Sequence, residues 1–114
     1  MIKRKLKRLP VIETYNGAKL HFDSGIYVSR DGKYLVKDGQ DDRGQPVIFR
    51  LKIQSDSIGQ HKVKSSGHVF MVDMLVAECY KPKSMEPKNF ILVHIDGNLG
   101  NDCVNNLEWR ENTP

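Results

Sequence analysis

The twenty residues from Phe90 to Trp109 constrain this chain more than any other stretch. Phe90-Ile91-Leu92-Val93 is a short apolar run of strand character. Ile95 to Asn106 is rich in turn formers, and Leu107-Glu108-Trp109 resumes an apolar pattern. Two short strands joined by a polar loop make a C-terminal β-hairpin, with His94 where the first strand meets the loop. Asp96-Gly97-Asn98 predicts a tight turn, in which the aspartate accepts backbone hydrogen bonds and the glycine takes a positive φ. Asn101, Asn105 and Asn106 are placed to hold the loop through side chain to backbone bonds. Trp109, with Leu107 beside it, is the expected core anchor.

Upstream, turn signals cut the chain into short strands. Val11 to Tyr15 is strand-like and ends at Asn16-Gly17, a hairpin signal. Lys19 to Phe22, Ile26 to Ser29 and Tyr34 to Lys37 follow, separated by Asp23-Ser24-Gly25 and Arg30-Asp31-Gly32-Lys33. Asp38 to Pro46 reads as a polar loop. Val47 to Ile53 is the longest strand candidate, with Arg50 and Lys52 on one face and Leu51 and Ile53 on the other. Gln54 to Ser66 reads as a loop with a weak strand near Lys62-Val63-Lys64, and His68 to Val72 as a strand. Asp73 then stands as the N-cap of a helix of about two turns from Met74 to Tyr80. Lys81-Pro82 ends it, because the residue before a proline is pushed out of helical geometry. The expected fold is α+β: a small, mostly antiparallel sheet, one short helix and the C-terminal hairpin.

Charge is distributed unevenly. Lys3, Arg4, Lys5, Lys7 and Arg8 form a basic arm without an acid. Outside it, thirteen of the 18 Lys and Arg residues face all 14 Asp and Glu residues, a net of −1. The arm, residues 1–10, thus precedes a single domain, 11–114, that is itself close to neutral. An arm of this kind neutralises phosphates or an acidic protein surface, and Arg50 and Lys52 offer a second basic face. No run of about 18 apolar residues exists, so no membrane partner is expected. Cys79 and Cys103 have no metal-type spacing and are expected as small buried hydrophobes. His21, His61 and His68 show no ligand spacing either, and are expected as ordinary surface or sheet residues.

Three segments resemble HNH homing endonucleases of the phage and intron type. Val72-Asp73-Met74-Leu75-Val76-Ala77-Glu78-Cys79-Tyr80, with Pro82, is similar to that family's V-H-R-L-V-A-x-x-F-x-P. Val93-His94-Ile95-Asp96-Gly97-Asn98, Asn101 and Asn106-Leu107-Glu108-Trp109 resemble N-H-x-D-G-N-x-x-N-N-x-x-x-N-L-E-W. Ile26 to Lys33 resembles the modular segment Y-x-V-S-x-x-G-x-V that accompanies these nucleases. The resemblance implies a ββα-metal hairpin in which the histidine at position 94 is general base on a water. A divalent cation, usually magnesium, would bridge the scissile phosphate.

The chain departs from that pattern where the chemistry is most demanding. The position before the base, a metal ligand in active members, is Val93, which has no lone pair. A second ligand normally comes from a helix after the N-L-E-W strand, and this sequence stops at Pro114. The histidine of V-H-R-L-V-A is Asp73. The motif is thus expected to be incomplete, with Asp73, Asp96, Gly97, Asn98, Asn101, Asn106 and Trp109 as structural residues and no metal or cofactor. The implied function is a non-catalytic, phage- or mobile-element-encoded protein in the host cytoplasm or the virion. Its partners would be nucleic acid or proteins of a larger phage assembly, with homo-oligomerisation open. The alternative is an active, Mg²⁺-dependent nicking endonuclease with His94 as base, and a third reading is a DNA-binding regulator.

Overall fold

The computed structural model describes residues 17–82 and 89–112. The basic arm, the strand expected over 11–15 and the connector 83–88 lie outside the described residues. Four short strands, β1 (Lys19–His21), β2 (Ile26–Val28), β3 (Leu35–Gln40) and β4 (Pro46–Arg50), pair in sequence order as an antiparallel sheet. A second antiparallel sheet holds β5 (Gln54–Ser55), β6 (His61–Ser65) and β7 (His68–Met71). Helix α1 (Val72–Tyr80) follows β7 without a linker. Strands β8 (Phe90–His94) and β9 (Leu107–Glu111) close the hairpin, with a 3-10 turn at Val104–Asn106 before β9.

The helix is the hub of the core. Val72, Leu75 and Val76 recur at helical spacing, so one face of α1 is apolar. All three are buried, with Ile26, Val28 and Leu35 from the first sheet, Val63 from the second, and Val104 and Leu107 from the hairpin. A helix of nine residues is marginal in isolation, so this burial holds it. Each fully buried Leu or Val contributes about 1.5–3 kcal/mol. The helix ends where Lys81 leaves helical geometry (φ −138°) before Pro82.

Several boundaries differ from the sequence expectation. Strand β3 runs through Asp38 to Gln40, where a loop was expected, and its hairpin turn is only Asp41 to Gln45. Asp41 Oδ1 closes that turn by accepting from the N–H groups of Arg43 and Gln45, each at 2.9 Å. Gly39 fits inside the strand because the Phe49 ring lies over it; a β-carbon there would fall 1.9 Å from that ring. Strand β4 stops at Arg50, yet the expected alternation continues: Arg50 and Lys52 are exposed, while Leu51 and Ile53 pack against the core. The segment expected as mainly loop supplies β5 and β6.

Asp73 is not the N-cap. Because β7 runs straight into the helix, the cap falls on extended Met71, and Asp73 sits in the first turn. Its Oδ1 accepts from the adjacent Met74 N–H, at 2.7 Å. Cys79 and Cys103 are free but half-buried rather than fully buried. Burial pushes the Cys79 thiol up, with the Glu78 charge adding to it.

Candidate functional site

The β8–β9 register sets the site. His94 pairs with Leu107 and Val93 with Glu108, so His94 shares the core-facing side with Leu107 while Val93 turns to the other. Val93 therefore supplies no donor beside the imidazole, and the family's expected cation position is not matched there. Two carboxylates that arrive from elsewhere meet His94 instead. Its Nε2 lies 3.1 Å from Asp102 Oδ1, in the β8–β9 loop, and 3.7 Å from Asp73 Oδ2, at the start of α1. The side chains of His94 and Asp102 are 3% and 2% exposed, and that of Asp73 is 12%.

The turn from Arg30 to Lys33 closes over this cluster. Gly32 has φ +70° and approaches so near that a β-carbon there would meet the Asp102 β-carbon at 2.9 Å. Arg30 O accepts from the Val104 N–H at 2.8 Å, tying the turn to the hairpin loop. Burial raises the Asp73 carboxyl above the usual range, and the Asp102 charge adds to that. The Met74 N–H and His94 oppose it. Asp102 Oδ2 is buried without a hydrogen-bond partner. His61 Nδ1 lies 3.2 Å from it, at ion-pair distance but off the alignment of a hydrogen bond.

A general base must offer its lone pair to a water beside substrate. Here Nε2 faces two carboxylates, and the imidazole has almost no exposed surface.

The loop residues behave as turn residues. Asp96 Oδ1 accepts from the Asn98 N–H at 2.8 Å and from Asn106 Nδ2 at 2.9 Å. Its Oδ2 accepts from Asn101 Nδ2 at 2.9 Å. These bonds, the one from Asn101 foremost, hold the Asp96 carboxyl below its ordinary range. Gly97 has φ +75°. Asn98 Oδ1 accepts from the Gly100 N–H at 3.0 Å. Asn105 is exposed. Trp109 is half-buried against the core, and its Nε1 donates to Lys81 O.

A second feature lies away from the histidine. A groove of about 680 Å³ runs between the first and second sheets, lined by Lys37, Arg50, Lys52 and Lys64, with Asp38 as its acid. It adjoins a hollow of about 470 Å³ that shares Arg50 and Lys52 and adds Lys33. Some of these cations are held in place. Lys37 Nζ donates to the hydroxyls of Ser65 and Ser66. The Arg50 guanidinium sits 5.1 Å above the Tyr34 ring and donates to Lys33 O at 3.4 Å. Arg50 and Lys52, expected as a basic face, are therefore joined by three cations from other elements. The arm residues Lys3, Arg4, Lys5, Lys7 and Arg8 lie outside the described residues.

Sequence reasoning missed Asp102, the role of Asp73, and the partners of two histidines that were expected as surface or sheet residues and do lie in strands, His21 in β1 and His61 in β6. His61 faces Asp102, and His21 is buried, with Nδ1 2.8 Å from Ser24 Oγ and Nε2 2.9 Å from Glu78 Oε1. A signal for Asp102 existed: it stands where the resembling pattern has its second consecutive asparagine.

Neither a family model nor a curated protein matches the sequence. Among solved structures, one described as DNA binding and cleavage by the HNH homing endonuclease I-HmuI is similar. It superposes with a TM-score of 0.54 at 25% identity, covering 94% of this chain and 52% of that one. The chain thus spans about half the length of that endonuclease, and its fold is HNH-homing-endonuclease-like.

Proposed function

We propose that this chain is a non-cleaving, HNH-nuclease-like protein that binds nucleic acid along its basic groove. The groove is the observation that carries the reading. Five cations from separate segments, Lys33, Lys37, Arg50, Lys52 and Lys64, line a continuous surface with Asp38 as its acid. Clustered cations of this kind match the regular negative charge of a phosphate backbone. The half-length likeness to an endonuclease whose structure concerns DNA binding favours DNA as the partner. The absence of cleavage is supported by His94, whose Nε2 is turned to buried carboxylates rather than to a substrate-facing surface.

Incubation of the purified chain with supercoiled plasmid and Mg²⁺ or Mn²⁺ tests both halves. The expected result is retardation of the plasmid at low salt with no accumulation of nicked circles. Nicking by the wild type that disappears in His94→Ala would overturn the non-cleaving half. Unretarded plasmid at low salt would remove the binding half.

A further inference from the structure

We propose that Asp73, His94 and Asp102 hold a divalent transition-metal ion of the zinc class in a buried, structural site. Their ligand atoms lie within 4.8 Å of one another, and all three residues are buried. Zinc bonds of about 2.0–2.2 Å in tetrahedral geometry place neighbouring ligand atoms about 3.3–3.6 Å apart. The separations of 3.1 and 3.7 Å from His94 Nε2 bracket that spacing.

The second, independent observation is the Asp102 Oδ2 oxygen. It is a carboxylate atom buried without a hydrogen-bond partner, on a side chain only 2% exposed. Buried carboxylates are costly unless paired or bound to a metal. With His61, 3.2 Å from Asp102 Oδ2, neutral, the two carboxylates leave a net charge of −1 even when the His94 imidazole is protonated. A dication bound by a neutral imidazole and two carboxylates leaves none. The donor set also selects the ion: an imidazole nitrogen favours zinc and its neighbours over magnesium. Magnesium prefers an octahedral shell of oxygen ligands, which a site built on an imidazole does not supply.

An entry path exists. A cavity of about 220 Å³ is lined by Asp102, His61, Lys33 and Asn101 and opens beside the cluster. The site joins the start of α1, the end of β8 and the β8–β9 loop. A bound ion would therefore fasten the hairpin to the helix that centres the core. An imidazole engaged as a ligand cannot act as a base, so the site is compatible with the function proposed above without depending on it.

The test uses the full chain, stripped with chelator and reloaded with Zn²⁺ alone. Elemental analysis after desalting is expected to find one zinc per chain, and thermal melts are expected to rise by at least about 5 °C. Asp102→Asn and Asp73→Asn should lose both, while His68→Ala should keep both. Co²⁺ loading of the wild type gives a separate reading that does not depend on folding of the aspartate variants. Visible ligand-field bands, displaced by added Zn²⁺, are expected. No retained zinc, no shift in melting and no cobalt bands would overturn the proposal and leave the cluster as an ion-paired triad. Plasmid retardation is scored separately, so failure of either idea is visible on its own.

Discussion

Replacing Lys52 and Lys64 together by alanine examines the groove most directly. The two residues line the same groove from different segments, Lys52 after β4 and Lys64 within β6. Both are exposed, so the double substitution is expected to change stability by no more than about 1 kcal/mol. Each phosphate neutralised on duplex DNA contributes about −0.9 to the slope of log K against log salt. Five engaged groove cations give a slope of about −4.5, and three give about −2.7. Raising salt from about 50 to about 200 mM then weakens the wild type about 500-fold and the variant about 40-fold. Any phosphates met by the basic arm add equally to both proteins, so the slope difference of about 1.8 is the diagnostic quantity. Fluorescence anisotropy on a short labelled duplex across a salt series measures it. Parallel slopes for the two proteins would show that the groove does not meet phosphates, however tightly either binds.

Further expectations concern the scaffold. Leu75, 1% exposed at the hub of the core, should cost about 2–5 kcal/mol when replaced by alanine, read from urea unfolding at constant m-value. Gly32→Ala should destabilise by about 1–3 kcal/mol, since it combines a positive φ with a β-carbon driven against Asp102, Val72 and Val76. The Asp31 carboxyl is held below its ordinary value first by the Ser29 hydroxyl at 2.7 Å, then by the Lys33 N–H at 2.9 Å. A depressed carboxyl contributes stability that is present above its unfolded pKa and lost as pH falls through its folded one. Ser29→Ala should move the Asp31 titration upward toward 3.8, followed by NMR of the carboxyl carbon, and shrink the acid-side loss of stability. An unchanged Asp31 titration would refute the assignment of that hydroxyl.

Local chemistry was legible in the sequence. The turns at Gly25, Gly32 and Gly97 follow from residues that tolerate positive φ, and the Asp96 network from an aspartate and asparagines within one loop. Helix α1 and its end follow from apolar spacing and Pro82, because both signals act within a few residues of the chain. The exposure of Arg50 and Lys52 follows from the two-residue period of an extended chain. Where several partners meet, the sequence alone was silent or misleading. Gly39 reads as a loop residue until the Phe49 ring from the paired strand covers it. Asp73 reads as a cap until β7 is found to enter the helix directly, which shifts the cap and turns the carboxylate toward His94. Asp102 lies eight residues from His94, and Asp73 comes from another element; only packing around α1 brings their charges together. The groove likewise needs two sheets side by side before Lys37, Arg50 and Lys64 become neighbours. Backbone preference is a property of adjacent residues, whereas burial of charge depends on which distant surfaces meet, and only the folded chain decides that.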